Sequence, residues 1–451
     1  MKRTVQLSAT IVLAASALSA CGGDSGDDGK LTVWTLESQP ERVAVLEDLA
    51  ADYTADGGPQ VEVVAIDESQ YDQLLTSSAS AGELPDVIGG LDLTGVGALA
   101  ANGLLDEDAP AEVVDSLGED TFSAGAIERA TIDGQLAAVP SDSWVNVLVY
   151  RKDLFEKAGL AAPDDYESIL AAAKKLDKPG QVGFSGFTTN HEVLEHLALG
   201  NGCDLVDDSD KVVIDSAQCV EAFDTYNELI TKYSSAGEQD PDATRATYLA
   251  GGSAMAVYSS FILDELAGLN PELKPSCDEC ADNPAFLAEN SGVVTGIAGP
   301  SGEPAQFGKQ TNWTIPVEAH SDAAGFVEFM MSDGYEDWIA MAPEGKVPAR
   351  RGTSEDSEAY VSAWEGMESG VEPRAPLADY YPAEVIDQIA ASPETIQEWG
   401  IDQGQAPLVG AMLGEQPIVA AMTEMFAGSL TPREAADKSA EDVTQIQESL
   451  K

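Results

Sequence analysis

Residues 31–90 read LTVWTLESQPERVAVLEDLAADYTADGGPQVEVVAIDESQYDQLLTSSASAGELPDVIGG, and this stretch decides the fold. Short apolar segments alternate in it with segments whose apolar residues recur at helical spacing. We predict strands at 31–34, 61–66 and 85–90, and helices at 40–56 and 71–81. Strands that alternate with helices are typical of a largely parallel sheet covered by helices. The sequence therefore predicts an α/β protein.

Polar side chains follow two of these predicted strands. Glu37 and Ser38 come after the first strand, and Asp92 comes after the third. In parallel sheets the ligand crevice lies beyond the carboxyl ends of the strands. We therefore expect these three residues near a binding site; a solvated surface position is the alternative for Glu37 and Asp92 in so acidic a chain.

The rest of the chain continues the mixture of strands and helices. Further strands are predicted at 139–150, 184–189, 254–258, 293–298 and 312–315. Further helices are predicted before and after a break at 159–163, and at 191–199, 218–232, 323–332 and 336–341. Residues 264–290 are predicted to form an irregular loop, and mostly helices are expected after residue 355.

The N-terminus has the features of a lipoprotein signal. Lys2 and Arg3 precede an apolar stretch at 11–18 that is too short to span a bilayer. Leu18-Ser19-Ala20-Cys21 then fits a lipobox, in which small residues precede the cysteine that takes the lipid. Residues 1–20 are thus predicted to be a signal peptide, and residues 21–29 a flexible tether. The alternative is an ordinary secretory signal with a stray cysteine.

A lipid on Cys21 would place the protein in the cell envelope. We expect it to be anchored to the outer face of the cytoplasmic membrane rather than to cross it. No later stretch of the sequence is long and apolar enough to be a transmembrane helix.

Composition restricts the class of protein. The 451 residues are enough for two domains with full cores, and a hydrophobic content of 44% indicates a globular chain. The formal net charge of −56 excludes binding to nucleic acid or anionic lipid by charge. An acidic surface with few lysines also suggests a salty habitat, where ions screen self-repulsion.

Four cysteines besides Cys21 suit an oxidising compartment. They allow three pairings, of which we favour the local one, Cys203 with Cys219 and Cys277 with Cys280. The Cys-Asp-Glu-Cys run at 277–280 has two alternatives, half a zinc site or a redox motif.

The segments of the sequence that come near a known catalytic or nucleotide-binding motif each match it only in part. His191 and His196 lie five residues apart, whereas a zinc-protease helix needs a spacing of four. Gly95–Ala100 matches a dinucleotide fingerprint only partly and is better explained as a helix start, and 302–309 misses the P-loop spacing by one residue. We predict no metal, no cofactor and no enzyme activity, although a pair of carboxylates, as in a glycoside hydrolase, stays open.

Several phrases in order resemble the extracellular solute-binding proteins of carbohydrate ABC importers, the maltose-binding-protein-like family. The resemblance covers residues 30 to about 425. The phrases are LTVW at 31–34, AGELPDV at 81–87, VP at 139–140 with LVYRKDLFEKAGL at 148–160, LAGGSAM at 249–255, and IP at 315–316 with VPAR at 347–350. Two positions depart from the family pattern: Asp165-Tyr166 replaces Thr-Trp, and Lys309-Gln310-Thr311 replaces a Gly-Gly-aromatic stretch.

The resemblance implies a two-lobed periplasmic-binding-protein-like fold of type II, with a ligand cleft between lobes joined by crossover strands. The N-terminal lobe would comprise 30–142 and 291–345, and the C-terminal lobe 143–290 and 346–451. The implied function is a monomeric substrate-binding lipoprotein that delivers a small-molecule solute, a sugar or oligosaccharide, to an ABC permease. The alternatives are an exported glycoside hydrolase and a binding protein for a non-sugar solute such as a polyamine or phosphodiester.

A sugar site needs aromatic platforms and polar side chains. By position in the resemblance, the predicted ligand-binding residues are Glu37, Ser38, Asp92, Trp144, Tyr258, Phe261, Gln310, Thr311, Arg350 and Trp364. Arg350 has a structural alternative, an ion pair with a surface carboxylate. Trp34 and Trp313 are predicted to pack in the core.

Overall fold

A computed structural model describes residues 29–450 of the chain. The predicted signal peptide, the lipidation site Cys21 and all of the tether except Gly29 lie outside the described residues. The strands are β1 (Lys30–Thr35), β2 (Gln60–Ala65), β3 (Val87–Asp92), β4 (Thr131–Ile132), β5 (Gln135–Leu136), β6 (Val139–Arg151), β7 (Met255–Ser259), β8 (Ser291–Val294), β9 (Gln306–Thr314), β10 (Val347–Pro348), β11 (Glu368–Ser369), β12 (Ala375–Pro376) and β13 (Ile396–Gln397).

Twenty α-helices surround these strands within residues 29–450. They are α1 (Pro40–Ala55), α2 (Glu68–Ala81), α3 (Leu93–Ala101), α4 (Ala109–Leu117), α5 (Ala124–Arg129), α6 (Lys152–Ala158), α7 (Tyr166–Leu176), α8 (Glu192–Leu199), α9 (Ala217–Tyr233), α10 (Pro241–Leu249), α11 (Ile262–Leu266), α12 (Phe286–Asn290), α13 (Ala323–Met330), α14 (Tyr335–Ile339), α15 (Ala359–Glu365), α16 (Ala383–Ala390), α17 (Ser392–Thr395), α18 (Ala406–Glu415), α19 (Pro417–Phe426) and α20 (Pro432–Ser449). In this part of the chain no helix combines the length and the apolar character that a membrane crossing requires.

The main sheet follows the predicted alternation of strands and helices. Its strand order is β10-β6-β9-β3-β1-β2. β1 pairs in parallel with both β2 and β3, as expected when helices connect successive strands. β9 returns antiparallel between β3 and β6. The carboxyl ends of β1 and β3 therefore lie at the same edge of the sheet.

Strand β6 belongs to two sheets and connects them. Its residues up to Val145 pair with β9, whereas the residues from Asn146 onward pair with β7 and β8. A strand shared in this way is the crossover that a two-lobed protein needs. The lobe boundaries at 142/143 and 290/291 remain predictions. The pairing of β8 with the second half of β6 favours a return between β8 and β9 rather than at 290.

The first sheet packs around Trp313. This side chain on β9 is fully buried, as the sequence predicts, and Trp34 is 9% exposed. Gly89 on β3 makes room for it, because a Cβ there would lie 2.3 Å from the Trp313 ring. Trp313 also packs against Trp338 of α14, with ring centroids 4.8 Å apart. The neighbouring glycine is thus required by the position of the tryptophan.

Four elements differ from the sequence predictions. Residues 184–189 form no strand and only a single bridge, from Ser185 to Ala256. The predicted loop 264–290 contains the end of α11 and all of α12, because Leu263, Leu266 and Leu287 are buried. The strand expected at 293–298 is β8, which ends at Val294, and the strand expected at 312–315 begins at Gln306 because it pairs with β6 over that length.

Both local disulfides are present, which confirms the favoured pairing. Cys203 is bonded to Cys219, and Cys277 to Cys280. All four residues are at most 5% exposed. The pairing of Cys277 with Cys280 leaves no thiolate there for a zinc ion.

Candidate functional site

A groove of about 690 Å³ opens beside the carboxyl ends of β1 and β7. One wall consists of the first turns of α1 and of the segment around α14, up to Glu344. The other wall consists of the end of β7, helix α11 and the segment that follows it, with the β11–β12 turn nearby. A second cavity, of about 730 Å³, is lined only by residues within 188–238 and 416–427 and thus does not lie between these walls.

An ion-pair network lies behind the first wall. The Glu37 carboxylate is 2.7 Å from Lys346 Nζ and accepts a hydrogen bond from Arg42 Nη1 at 3.0 Å. Burial alone would raise the pKa of Glu37, but the two cations outweigh it and lower the pKa to about 2. Lys346 also lies 3.8 Å from Asp142 Oδ1. Glu37 is therefore ionised and fixed in position at neutral pH.

Three buried carboxylates line the groove itself. Asp264 and Glu265 lie on α11, and Glu344 follows α14; each is at most 5% exposed. Burial raises the pKa of all three, that of Glu265 to about 7. Arg245 Nη1 donates to Glu265 at 3.1 Å, and Arg42 Nη2 lies 3.9 Å from Glu344. The Arg245 and Arg42 guanidinium groups oppose the effect of burial but do not cancel it.

Two aromatic side chains belong to the second wall. Tyr258 is the penultimate residue of β7; its ring lies 5.5 Å from that of Phe187, and the Arg245 guanidinium lies 5.9 Å from the Tyr258 ring. Phe261 is half-buried and lies against the backbone of Gly345, where a Cβ would come within 1.8 Å of the ring. Phe261 thus connects the second wall to the segment between α14 and β10.

A second group of predicted residues lies on the shared sheet. Asp92 pairs with Thr311 across β3 and β9, and Asp92 Oδ1 accepts a hydrogen bond from the Gly95 N–H at 2.8 Å as the N-cap of α3. Thr311 Oγ1 donates to Asp142 Oδ1 at 2.8 Å. Trp144 lies opposite Lys309 on β9 and is only partly buried. Residues directly opposite on paired strands share a face of the sheet, so Asp92 and Thr311 lie on one face together.

Three predicted residues lie in the interior instead. Gln310 is 1% exposed and donates to the Ala126 carbonyl at 3.1 Å. Arg350 is 4% exposed; its guanidinium donates to Thr121 Oγ1 and to the Leu117 and Met331 carbonyls, so it makes no surface ion pair. Trp364 is 3% exposed and donates to the Pro343 carbonyl at 2.8 Å. The structure does not bring these side chains to the groove of Tyr258 and Phe261.

The sequence reasoning missed most of the charged groups at the site. These are Glu41, Arg42, Arg245, Asp264, Glu265, Asp337, Glu344, Lys346 and Arg374. Two signals were available. Asp264 and Glu265 interrupt an apolar run directly after Phe261, and Glu344 and Lys346 directly precede the Val-Pro-Ala-Arg phrase. Within residues 29–450, no three His, Cys, Asp or Glu side chains form a group that could hold a metal ion.

Comparison with known proteins decides the family. A sequence profile described as "Bacterial extracellular solute-binding protein" matches residues 48–368, more than half of the chain. The chain belongs to the family of bacterial extracellular solute-binding proteins. Its two-lobed α/β architecture, predicted from the sequence, is the fold of its structural neighbours.

This solute-binding protein has curated relatives of similar length. It is 27% identical over 365 residues to "Putative ABC transporter periplasmic-binding protein YcjN" of Escherichia coli, covering 77% of this chain and 79% of that relative. It is 26% identical over 389 residues to "Diacetylchitobiose binding protein DasA" of Streptomyces coelicolor, covering 80% and 86%.

Solved structures show the same fold. Maltose-bound MalE3 of T. maritima has a TM-score of 0.68 at 20% identity and covers 92% of this chain and 99% of that one. The GacH receptor of Streptomyces glaucescens, solved unliganded and with acarbose, has a TM-score of 0.69 at 19% identity and covers 93% and 98%. At such identities the likeness concerns the fold.

Proposed function

We propose that the protein captures an extracellular sugar or oligosaccharide and delivers it to the membrane subunits of an ABC importer. The observation that carries the proposal is the groove at the carboxyl ends of β1 and β7, with Phe261 beside several charged side chains. Aromatic faces pack on apolar sugar rings, and charged groups bind hydroxyls. The names of relatives that bind diacetylchitobiose or maltose support the same class of solute.

Tyr258 and Phe261 would contact the solute directly, whereas Glu37 would act from behind the first wall by holding Arg42, which lines the groove. Ser38 is exposed on the loop after β1, next to the ionised Glu37. Tyr258 and Phe261 line the groove from the other side. Asp92, Trp144 and Thr311 on the shared sheet would contact the part of a longer oligosaccharide that extends along β9.

Closure of the groove would proceed by bending at β6. The residues on either side of Val145 pair with different strands, so a small change of backbone angles there moves one wall relative to the other. The contact of Phe261 with Gly345, which is already made in this structure, would help to hold the walls together. A permease could recognise the closed form because both walls present their outer surfaces in one fixed arrangement.

The attachment to the membrane is part of the proposal. A lipid on Cys21 would hold a monomeric binding protein at the outer face of the cytoplasmic membrane, near its permease. The segment 22–29 contains only Gly, Asp and Ser and would allow the lobes to close and dock freely.

Calorimetric titration with a panel of saccharides tests the proposed function. The panel contains maltose, laminaribiose, diacetylchitobiose and acarbose with their constituent monosaccharides. Saturable binding without new products in a chromatogram supports capture of a sugar. Hydrolysis of any member, or binding of another solute class with no saccharide bound, contradicts it.

A further inference from the structure

The groove has more carboxylates than cations to neutralise them. Its lining includes Glu41, Asp264, Glu265, Asp337 and Glu344 against Arg42, Arg245 and Arg374. Those arginines are already engaged. Arg42 donates to Glu37, Arg245 donates to Asp242 and Glu265, and Arg374 donates to the carbonyls of Ala340 and Glu368. Negative charge is therefore left over at the centre of the lining.

Asp264 and Glu344 carry most of this excess. Within residues 29–450 no cation forms an ion pair with the Asp264 carboxylate, which is 4% exposed and accepts a hydrogen bond from the Glu265 backbone N–H. Glu344 lies 3.9 Å from Arg42, which also serves Glu37, and Ser369 and Arg374 help to stabilise its charge. Burial of several carboxylates beside too few cations is costly, so the cluster favours binding of a proton or a cation.

Two oxygens of the cluster have no hydrogen-bond partner in the described residues. Glu265 Oε2 and Glu344 Oε2 are both inaccessible, and their residues are 4% and 5% exposed. Glu265 and Glu344 lie on opposite walls of the groove. Two unsatisfied acceptor oxygens on opposite walls favour a donor that arrives with the solute.

An ammonium group fits this place better than a metal ion does. It has three N–H donors that can point to separate carboxylates, and it needs no compact ligand shell. In contrast, the described residues contain no group of acidic, His or Cys side chains compact enough to hold a metal ion. The groove volume of about 690 Å³ lies within the range of small-molecule pockets, about 300–1,000 Å³.

We propose that the solute is an amino sugar whose free ammonium group binds between Asp264, Glu265 and Glu344. The inference rests on the proposed function, because it takes a saccharide as the solute and adds the charged group. The ammonium group also favours closure, since closure otherwise brings the like charges of Asp264 and Glu344 together from opposite walls.

Sets of sugars that differ only at C2 test the inference. Glucose, galactose and mannose are each compared with their 2-acetamido and 2-amino forms, and cellobiose with diacetylchitobiose and fully deacetylated chitobiose. Titration is done calorimetrically at pH 6.5, where the amino group carries a proton. At least one amino form is expected to bind tenfold or more tightly than both of its neutral counterparts.

Each of the other outcomes contradicts either the ammonium site or the saccharide function, or both. If the neutral forms bind as tightly as the amino forms, the ammonium site is wrong and the saccharide function stands. If spermidine binds and no saccharide does, the cationic site stands and the saccharide function is wrong. If neither class binds, both are wrong.

Asp264→Asn separates recognition from folding. The variant is expected to lose at least tenfold in affinity for the amino sugar while its melting temperature at pH 8 stays equal or rises, because a buried charge that makes no ion pair has been removed. Asp437→Asn, at an exposed ion pair with Arg433, is the control and should change neither quantity. Glu344→Gln gives a second test on the opposite wall. Unchanged amino-sugar affinity in both groove variants overturns the inference.

Discussion

Replacement of Glu37 by Gln tests the ion-pair network behind the groove. The Glu37 carboxylate has a pKa of about 2 in the folded protein against 4.5 for the free side chain. A difference of this size corresponds to about 3 kcal/mol of folding stability. Because the folded-state pKa is lowered, this stability is present above pH 4.5 and is lost as the pH falls through 2.

The Glu37→Gln substitution would leave Lys346 and Arg42 without their nearest carboxylate. Lys346 and Arg42 have side chains only 6% and 18% exposed, and they would keep their more distant partners Asp142 at 3.8 Å and Glu344 at 3.9 Å. Loss of one partner of a buried pair typically costs about 3–5 kcal/mol. We therefore expect Glu37→Gln to lower the free energy of unfolding by about 3 kcal/mol at pH 7 and by about half of that at pH 3.

Urea unfolding followed by tryptophan fluorescence measures this difference at both pH values. Glu62→Gln is the matched control, because Glu62 faces Lys30 at 3.8 Å with both side chains strongly exposed. Such exposed pairs contribute less than about 1 kcal/mol. The reasoning is refuted if Glu37→Gln is no more destabilising than Glu62→Gln at pH 7, or if its effect grows toward acid pH.

Three further predictions concern other parts of the chain. Removal of the Cys203–Cys219 disulfide by double alanine substitution should cost about 3 kcal/mol in urea unfolding, as expected for a loop with a sequence separation of 16; an unchanged midpoint contradicts this. Gly345→Ala should displace Phe261 and weaken solute binding at least tenfold by calorimetry, whereas Gly414→Ala, where nothing lies within 4 Å of the new Cβ, should leave it unchanged. Cys21→Ser should abolish incorporation of labelled fatty acid in cells, and persistent labelling would exclude that cysteine as the lipidation site.

The architecture could be predicted because it depends on local patterns. Apolar residues at helical spacing gave α1 within one residue of its observed bounds, Pro40–Ala55. Tyr258 and Phe261 could be placed at the groove because they lie at and just after the end of β7, and strand ends in such folds meet at one edge. These inferences need no knowledge of which distant residues come together.

The interior position of Gln310 shows where local patterns fail. A strand beginning at 312 would leave Gln310 in a loop, but β9 begins at Gln306 and continues through it. Side chains alternate along a strand, so Gln310 and Asn312 share the buried face, and their side chains form a hydrogen bond at 2.9 Å. Lys309 and Thr311 take the opposite face.

The charges of the groove could not be identified from sequence for a different reason. The chain contains 79 acidic and 23 basic side chains, and composition does not tell which of them face a cleft. Asp264, Glu265 and Glu344 become a cluster only through tertiary packing of α11 against the segment after α14. Arg350 is the converse case, since its residue type suited a ligand contact while its carbonyl partners hold it inside.

The central claim is that the groove between the β1–α1 and β7–α11 walls binds the solute. Phe261→Ala tests it most directly, with Phe329→Ala as control, because Phe329 is also only partly buried but packs on Tyr53 outside the groove. With the saccharide that binds most tightly, calorimetry should show a loss of affinity of at least tenfold for Phe261→Ala and no change for Phe329→Ala. Unchanged affinity in Phe261→Ala would contradict the claim.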